Sequence, residues 1–97
     1  VRAIRWTLRA RQDLASIRAF VEQDAPVLAS VVVSRIIAAT DRLASFPESG
    51  RLVPELPGGG LREVIHPPYR IVYRLVDGEE VHILTVHHSA KRFPRLP

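Results

Sequence analysis

Apolar residues first recur at a helical period. Ala10, Leu14, Ile17 and Val21 stand four, three and four apart, one stripe on a 3.6-residue repeat that leaves Arg9, Gln12, Asp13 and Arg18 to water. Thr7 precedes them where a side-chain oxygen can accept a free amide at a helix start. The pattern therefore predicts a first helix over Leu8 to Gln23. Asp24-Ala25-Pro26 forms a turn, and Pro26 suits the first position of a second helix because the amide hydrogen it lacks has no helical partner there. Leu28, Val32, Ile36, Ala39 and Leu43 follow at four, four, three and four, until Phe46-Pro47 breaks the run. The second helix is expected over Pro26 to Ser45, folded back on the first as an antiparallel hairpin.

Outside this hairpin the pattern alternates. Val1 to Trp6 reads as a short strand, with Trp6 at its junction with the helix either an interface anchor or, the more frequent case there, a core residue. Pro47 to Pro57, followed by Gly58-Gly59-Gly60, is a loop. Leu61 to His66, Tyr69 to Val76 and Glu79 to about His87 read as three further strands, separated by Pro67-Pro68 and by Asp77-Gly78, a strong hairpin signal. The order is β-α-α-β-β-β. It predicts a single α+β domain over residues 1–97, a helical hairpin packed on a small, antiparallel-rich sheet.

Composition fits such a domain. The chain is 46% hydrophobic and 25% charged, which excludes a disordered tail or a rod. The longest apolar runs, Val31 to Val33 and Ile36 to Ala39, are far short of the roughly 20 residues of a membrane span. No leader pattern precedes them, so a cytoplasmic location without membrane contact is expected. Cysteine is absent, and His66, His82, His87 and His88 have no ligand-like spacing, so neither a metal site nor another cofactor is expected. The formal charge of +4 is carried almost wholly by arginine, Lys91 being the only lysine. The skew reads either as the codon bias of a GC-rich genome or as a choice of arginine for carboxylate and phosphate contacts, and the sign is compatible with an acidic protein, nucleic acid or ribosome as partner.

Two regions carry candidate chemistry. Cleaving RNA by its own 2′-hydroxyl needs a base, cations on the phosphate oxygens and an acid, and Arg70, His87, His88, Glu63 and Tyr73 are of the right types. Their convergence depends on hairpin register. A two-residue Asp77-Gly78 loop puts Arg70 opposite Thr85, on the face of His87; a three-residue Val76-Asp77-Gly78 loop puts it on the face of Leu84, Val86 and His88. The opposing reading makes Arg70 and Arg74 solvated or ion-paired sheet residues. The second region is the tail from Ser89, whose Lys91, Arg92 and Arg95 flank Phe93 with no acidic side chain. It reads either as a segment docking on an acidic groove or as a solvated terminus. Val31, Val33 and Ile37 widen the apolar surface of the second helix, either as covered core or as a docking face. Gly58-Gly59-Gly60 lacks the Lys-Ser/Thr and the helix of a phosphate loop.

The residues also carry a family resemblance across nearly the whole chain. Trp6, Ala10, Asp13-Leu14, Ile17, Pro26, Phe46-Pro47 with Gly50-Arg51, Leu61-Arg62-Glu63, Tyr69-Arg70-Ile71-Val72-Tyr73-Arg74, and Ile83 to Val86 followed by His87-His88 resemble the RelE/ParE superfamily of bacterial toxins from type II toxin-antitoxin systems. The RelE-like branch implies a ribosome-dependent messenger-RNA endonuclease, with the phosphate-binding arginine at Arg70 and the catalytic histidine at His88. Where RelE-like chains carry further basic residues, Leu61, Glu63 and Ser89 stand here, which leaves phosphate charge poorly stabilised and counts against RNA cleavage. Pro47 to Arg51 and Leu61 to Glu63 are similar to the ParE-like branch, which implies inhibition of DNA gyrase by binding, with no catalytic residue. On that resemblance Lys91, Arg92, Phe93 and Arg95 are target-binding candidates. It also implies hetero-oligomerisation with a ParD-like antitoxin whose disordered segment folds on the toxin; Val31, Val33, Ile37, Arg62 and Arg74 are the candidate contacts.

Overall fold

The computed structural model describes residues 1–96. Strand β1 (Ala3–Trp6) leads into α1 (Leu8–Glu22) and α2 (Pro26–Thr40), and a 3₁₀ turn over Asp41–Ala44 closes the helical hairpin. Strands β2 (Arg51–Leu52), β3 (Arg62–His66), β4 (Tyr69–Val76) and β5 (Glu80–His88) follow. They form one sheet in the order β1-β5-β4-β3-β2, in which β1 runs parallel to β5 and every other pair is antiparallel. The class is the expected α+β arrangement of two helices on a mostly antiparallel sheet.

Local chemistry accounts for the element ends. Thr7 caps α1 by accepting from Ala10 N at 3.1 Å, and its hydroxyl also donates to Ile83 O at 2.8 Å, tying the helix start to β5. Helix α2 stops five residues before the expected Ser45, because the Thr40 hydroxyl donates to Ile37 O at 2.7 Å and the Asp41 amide turns to Ala38 O. Leu43 is still fully buried, carried inward by the 3₁₀ turn. Leu28 is not part of the buried stripe; Ala29 takes its place, and Leu28 stands half in water. Strand β2 lies inside the segment expected to be only loop.

Both hairpin registers read from the sequence are displaced. Val76 pairs with Glu80, so Asp77, Gly78 and Glu79 form the loop, with the Glu79 amide bonded back to Val76 O at 3.1 Å. Asp77 and Gly78 turn the chain with φ of 54° and 71°, a conformation that glycine adopts without a steric penalty. A second slip falls between Val72 and Tyr73, skipping Leu84. There the Thr7 hydroxyl takes both the Ile83 and Leu84 carbonyls. Arg70 consequently stands directly opposite His87, and Tyr69 opposite His88.

Ala10 and Ile36 of the helices pack with Leu43, Ile71, Tyr73, Val81 and Ile83 in a core where all seven are fully buried, and Trp6 packs half-buried against it. Beyond Trp6 the outer edge of β5 has no strand neighbour among the described residues. Asp13 of α1 covers it, its carboxylate accepting from the Thr85 hydroxyl and, at 3.0 Å, from Val86 N.

Candidate functional site

Side chains alternate across a strand, so Arg70 points away from the face that carries Tyr69, Ile71 and Tyr73 to the helices. It is nevertheless only 8% exposed. Its Nε donates to Glu63 Oε1 at 2.7 Å, while Nη1 and Nη2 donate to the two oxygens of Glu55, each at 2.6 Å. Glu63, buried on β3, also accepts from Arg51 Nε at 2.6 Å. Two guanidinium groups and two carboxylates thus neutralise one another. Hydrogen bonds from Arg70 hold the Glu55 carboxyl down at about 2, and Glu55 in turn raises Arg70 above the usual arginine range.

The exposed face of this cluster is closed by the tail. The Phe93 ring lies over the Arg70 guanidinium, 5.0 Å from Cζ to the ring centroid, and meets His87 edge-on at 5.5 Å. His87 is 6% exposed, and its Nε2 has no hydrogen-bond partner among the described residues. Burial, and after it the charge of Arg70, holds its imidazole below the usual histidine value, so it stays neutral. His88 points to the opposite face, edge-on to Tyr69 at 5.6 Å with Nδ1 accepting from Ala90 N. The pair named for RNA cleavage, Arg70 and His88, is therefore not assembled. Arg70 and His87 do meet, beneath Phe93.

On the other side of the tail, a cleft of about 550 Å³ runs between α1 and the end of β5. Ile17, Phe20, Tyr69 and Val86 supply apolar wall, and Arg9, Lys91 and Arg92 supply charge. Lys91, Arg92 and Arg95 are exposed and form no ion pair among the described residues. Arg62 and Arg74 come together at the far end of the sheet around a small pocket with Tyr73 and Glu48, Arg62 donating to Gly50 O at 2.9 Å. Val31 and Ile37 are exposed on α2, and Val33 is half-buried. Among the described residues there is no cluster suited to a metal ion and no helix long and apolar enough to cross a membrane.

Sequence reasoning missed Glu55 and Asp13 as members of these sites. The only signal for Glu55 was indirect: an arginine inside an alternating strand requires counter-charges, and one carboxylate of β3 is too few for two arginines.

Comparison with known proteins agrees with the fold. The family model described as "ParE toxin of type II toxin-antitoxin system, parDE" matches residues 4–93. "Putative toxin Y4kP" of Sinorhizobium fredii is 43% identical over 97 residues, covering 96% of this chain and 94% of its own. "Toxin RelE2" of Caulobacter vibrioides is 42% identical over 87 residues, covering 89% of this chain and 93% of its own. Among solved structures, the chromosomal ParDE system of P. aeruginosa superposes with a TM-score of 0.75 at 24% identity, over 90% of this chain and 95% of that one. The toxin-antitoxin complex RelBE2 of Mycobacterium tuberculosis gives a TM-score of 0.61 at 26% identity, over 90% and 96%.

Proposed function

The chain belongs to the ParE toxin family of type II toxin-antitoxin systems, and from that premise we propose that it inhibits DNA gyrase by binding, stabilising the enzyme's cleaved-DNA complex, rather than by cutting messenger RNA. Membership of the ParE family supports gyrase as the target in this reading. The observation that carries the non-hydrolytic part is the closed Arg70 cluster. Phosphoryl chemistry needs a cation aimed at the position where charge develops, and every nitrogen of the Arg70 guanidinium already donates to a carboxylate beneath Phe93. A phosphate would have to displace Glu55 and the tail together. The unengaged cations of the tail, Lys91, Arg92 and Arg95, are the target-binding candidates, with Phe93 among them.

A ParD-like antitoxin neutralises the toxin in this reading. Its segment folds on binding, sets carboxylates against Arg62 and Arg74, and covers the apolar surface at Val31, Val33 and Ile37. Both proteins work in the cytoplasm, where gyrase and DNA are found.

The decisive experiment incubates the purified chain with gyrase, ATP and supercoiled plasmid, then denatures the protein and looks for linear DNA, with a parallel translation reaction probed for cut message. Linear plasmid with intact message is the expected result. Cut message with untouched plasmid would overturn the proposal and make the chain a ribosome-dependent endonuclease. Removing the antitoxin contacts Arg62 and Arg74 is expected to weaken neutralisation while leaving linear DNA unchanged.

A further inference from the structure

We propose that Arg70 is a positioning residue for the basic tail: the carboxylates of Glu55 and Glu63 take its edge donors, Phe93 seats on the face that remains, and the seated ring fixes where Lys91, Arg92 and Arg95 stand. This rests on the reading of the tail as the target-binding segment.

The tail is held at two points. At the first, Ser89 N donates to Pro68 O at 2.9 Å and Lys91 N to His88 O at 3.0 Å, while Ala90 N donates to His88 Nδ1 at 3.0 Å, so the chain turns as it leaves β5. The second is Phe93, over Arg70 at 5.0 Å and against His87 at 5.5 Å. Lys91 and Arg92 lie between the two points, and Arg95 lies just beyond the second. A terminus of this length frays unless something ties it down, and nothing downstream of residue 91 forms a backbone hydrogen bond among the described residues.

The chemistry of the second point is particular to arginine. A guanidinium is planar, with donors at its edge and a face that stacks on aromatic rings. With all three nitrogens bonded to carboxylate oxygens, three of the five N–H donors are taken and the orientation of the face is set. A lysine at this position would keep the charge but could neither bridge Glu55 and Glu63 in the same way nor offer a flat surface to the ring. Glu55 acts from a distance: it lies on the loop before β3, touches no part of the tail in the hydrogen-bond pattern, and sets the tail's place only through Arg70.

The test uses the full chain and reads the tail directly. Release of Phe93 from its seat should speed tryptic cutting after Arg92, and mass spectrometry reports the chain ending at Arg92 separately from cuts elsewhere. Glu55→Ala removes the bidentate clamp from an exposed loop while Glu63 still holds Arg70 in the sheet; Arg70→Lys removes the fork. Cleavage at the Arg92–Phe93 bond is expected to accelerate about two- to thirty-fold in both, the range a lost cation–π contact implies, with cuts in the helices and sheet unchanged in Glu55→Ala, which leaves Glu63 paired with Arg70. Linear DNA formed with gyrase should fall about ten-fold. Unchanged cleavage after Arg92 in Glu55→Ala would overturn the proposal, as would a released tail with undiminished linear DNA. Should the wild-type chain give no linear DNA, the target reading fails by itself, and tail proteolysis alone decides whether Arg70 holds the tail.

Discussion

Replacing Arg70 by methionine tests whether the four-charge cluster is a buried, interdependent unit. The substitution roughly conserves volume but strips Glu55 of both its hydrogen bonds from Nη1 and Nη2, and Glu63 of one of its two cations. Glu55 can turn to water, its side chain being 38% exposed. Glu63 cannot, at 1% exposure, and keeps only Arg51. Removing one partner of a buried pair costs about 3–5 kcal/mol; the retained Arg51 contact puts the expected loss at the lower end, about 3 kcal/mol. For a domain of this size that lowers the melting temperature by about 12–24 °C, a large share of a total stability of about 5–15 kcal/mol. The double variant Arg70→Met/Glu63→Leu removes the stranded carboxylate as well, and apolar replacement of both partners of a buried pair is often neutral. It should therefore recover about 2 kcal/mol or more relative to the sum of the single losses. Urea unfolding followed by circular dichroism and Trp6 fluorescence measures each value, compared at constant m. A loss below about 1 kcal/mol for Arg70→Met, or strict additivity in the double variant, would refute the reasoning. One practical consequence is that inactivity of an Arg70 variant says nothing about catalysis until its fold has been checked.

Gly50→Ala should destabilise by about 3 kcal/mol, because the new Cβ would stand 2.6 Å from Glu63 O and 2.7 Å from the hydroxyl of the fully buried Tyr73; a melt matching wild type would contradict the packing described. Thr7→Ala removes the α1 cap together with its bonds to Ile83 and Leu84, and a loss of about 1–2 kcal/mol is expected by denaturant titration. Stability should fall in two steps as pH drops. The unfolded chain protonates its histidine near 6.5 while burial keeps folded His87 neutral, so stability declines below 6.5 until the folded imidazole titrates too. Glu55, held at about 2 against an ordinary 4.5, contributes fully above 4.5 and loses that contribution as pH falls toward 2, by no more than about 1 kcal/mol given its exposure. His87→Leu should flatten the upper step and Glu55→Ala the lower one in melts recorded from pH 7 to 2.5; unchanged profiles would count against both assignments.

The elements were legible because their signals are local. Thr7 and the four-three-four spacing of Ala10, Leu14, Ile17 and Val21 mark α1 within one residue of its observed end, and Tyr69 to Val76 alternates as β4 does. What failed depends on contacts distant in sequence. The skipped Leu84 lies where Thr7, 77 residues earlier, claims two carbonyls, and no local pattern in the hairpin announces it. Arg70 could be singled out by its residue type and by the family resemblance of its strand, and Glu63 by its type and because it departs from the RelE-like pattern. Glu55 could not, since it lies among prolines and glycines with no periodicity to say where it points, and its partner is 15 residues away on another element. The same limit applies to Phe93. Composition shows it within a basic tail, but only the folded chain places it over a guanidinium.

The net charge of +4 looked like a diffuse property of the sequence, yet the fold distributes it unevenly. Arg51 and Arg70 are cancelled by Glu55 and Glu63, Arg5 is paired with Glu80, and Arg18 with Glu22. Among the described residues, the cations left without carboxylates include two groups at opposite ends of β4. Arg62 and Arg74 stand near its last turn, and the tail leaves β5 beside its first residue, Tyr69. From Tyr69 to Arg74 is five residues of strand, about 17 Å. An antitoxin segment satisfied by Arg62, Arg74 and the apolar surface of α2 would therefore leave the tail uncovered unless it continued along the molecule for about five extended residues more. If the tail binds the target, neutralisation by direct cover requires that extra length, and a segment too short for it could act only by moving Arg70, Glu55 or Phe93 from a distance. On the proposed assignment of the two charged ends, the reach of the antitoxin, more than its affinity, would be the quantity on which inhibition depends.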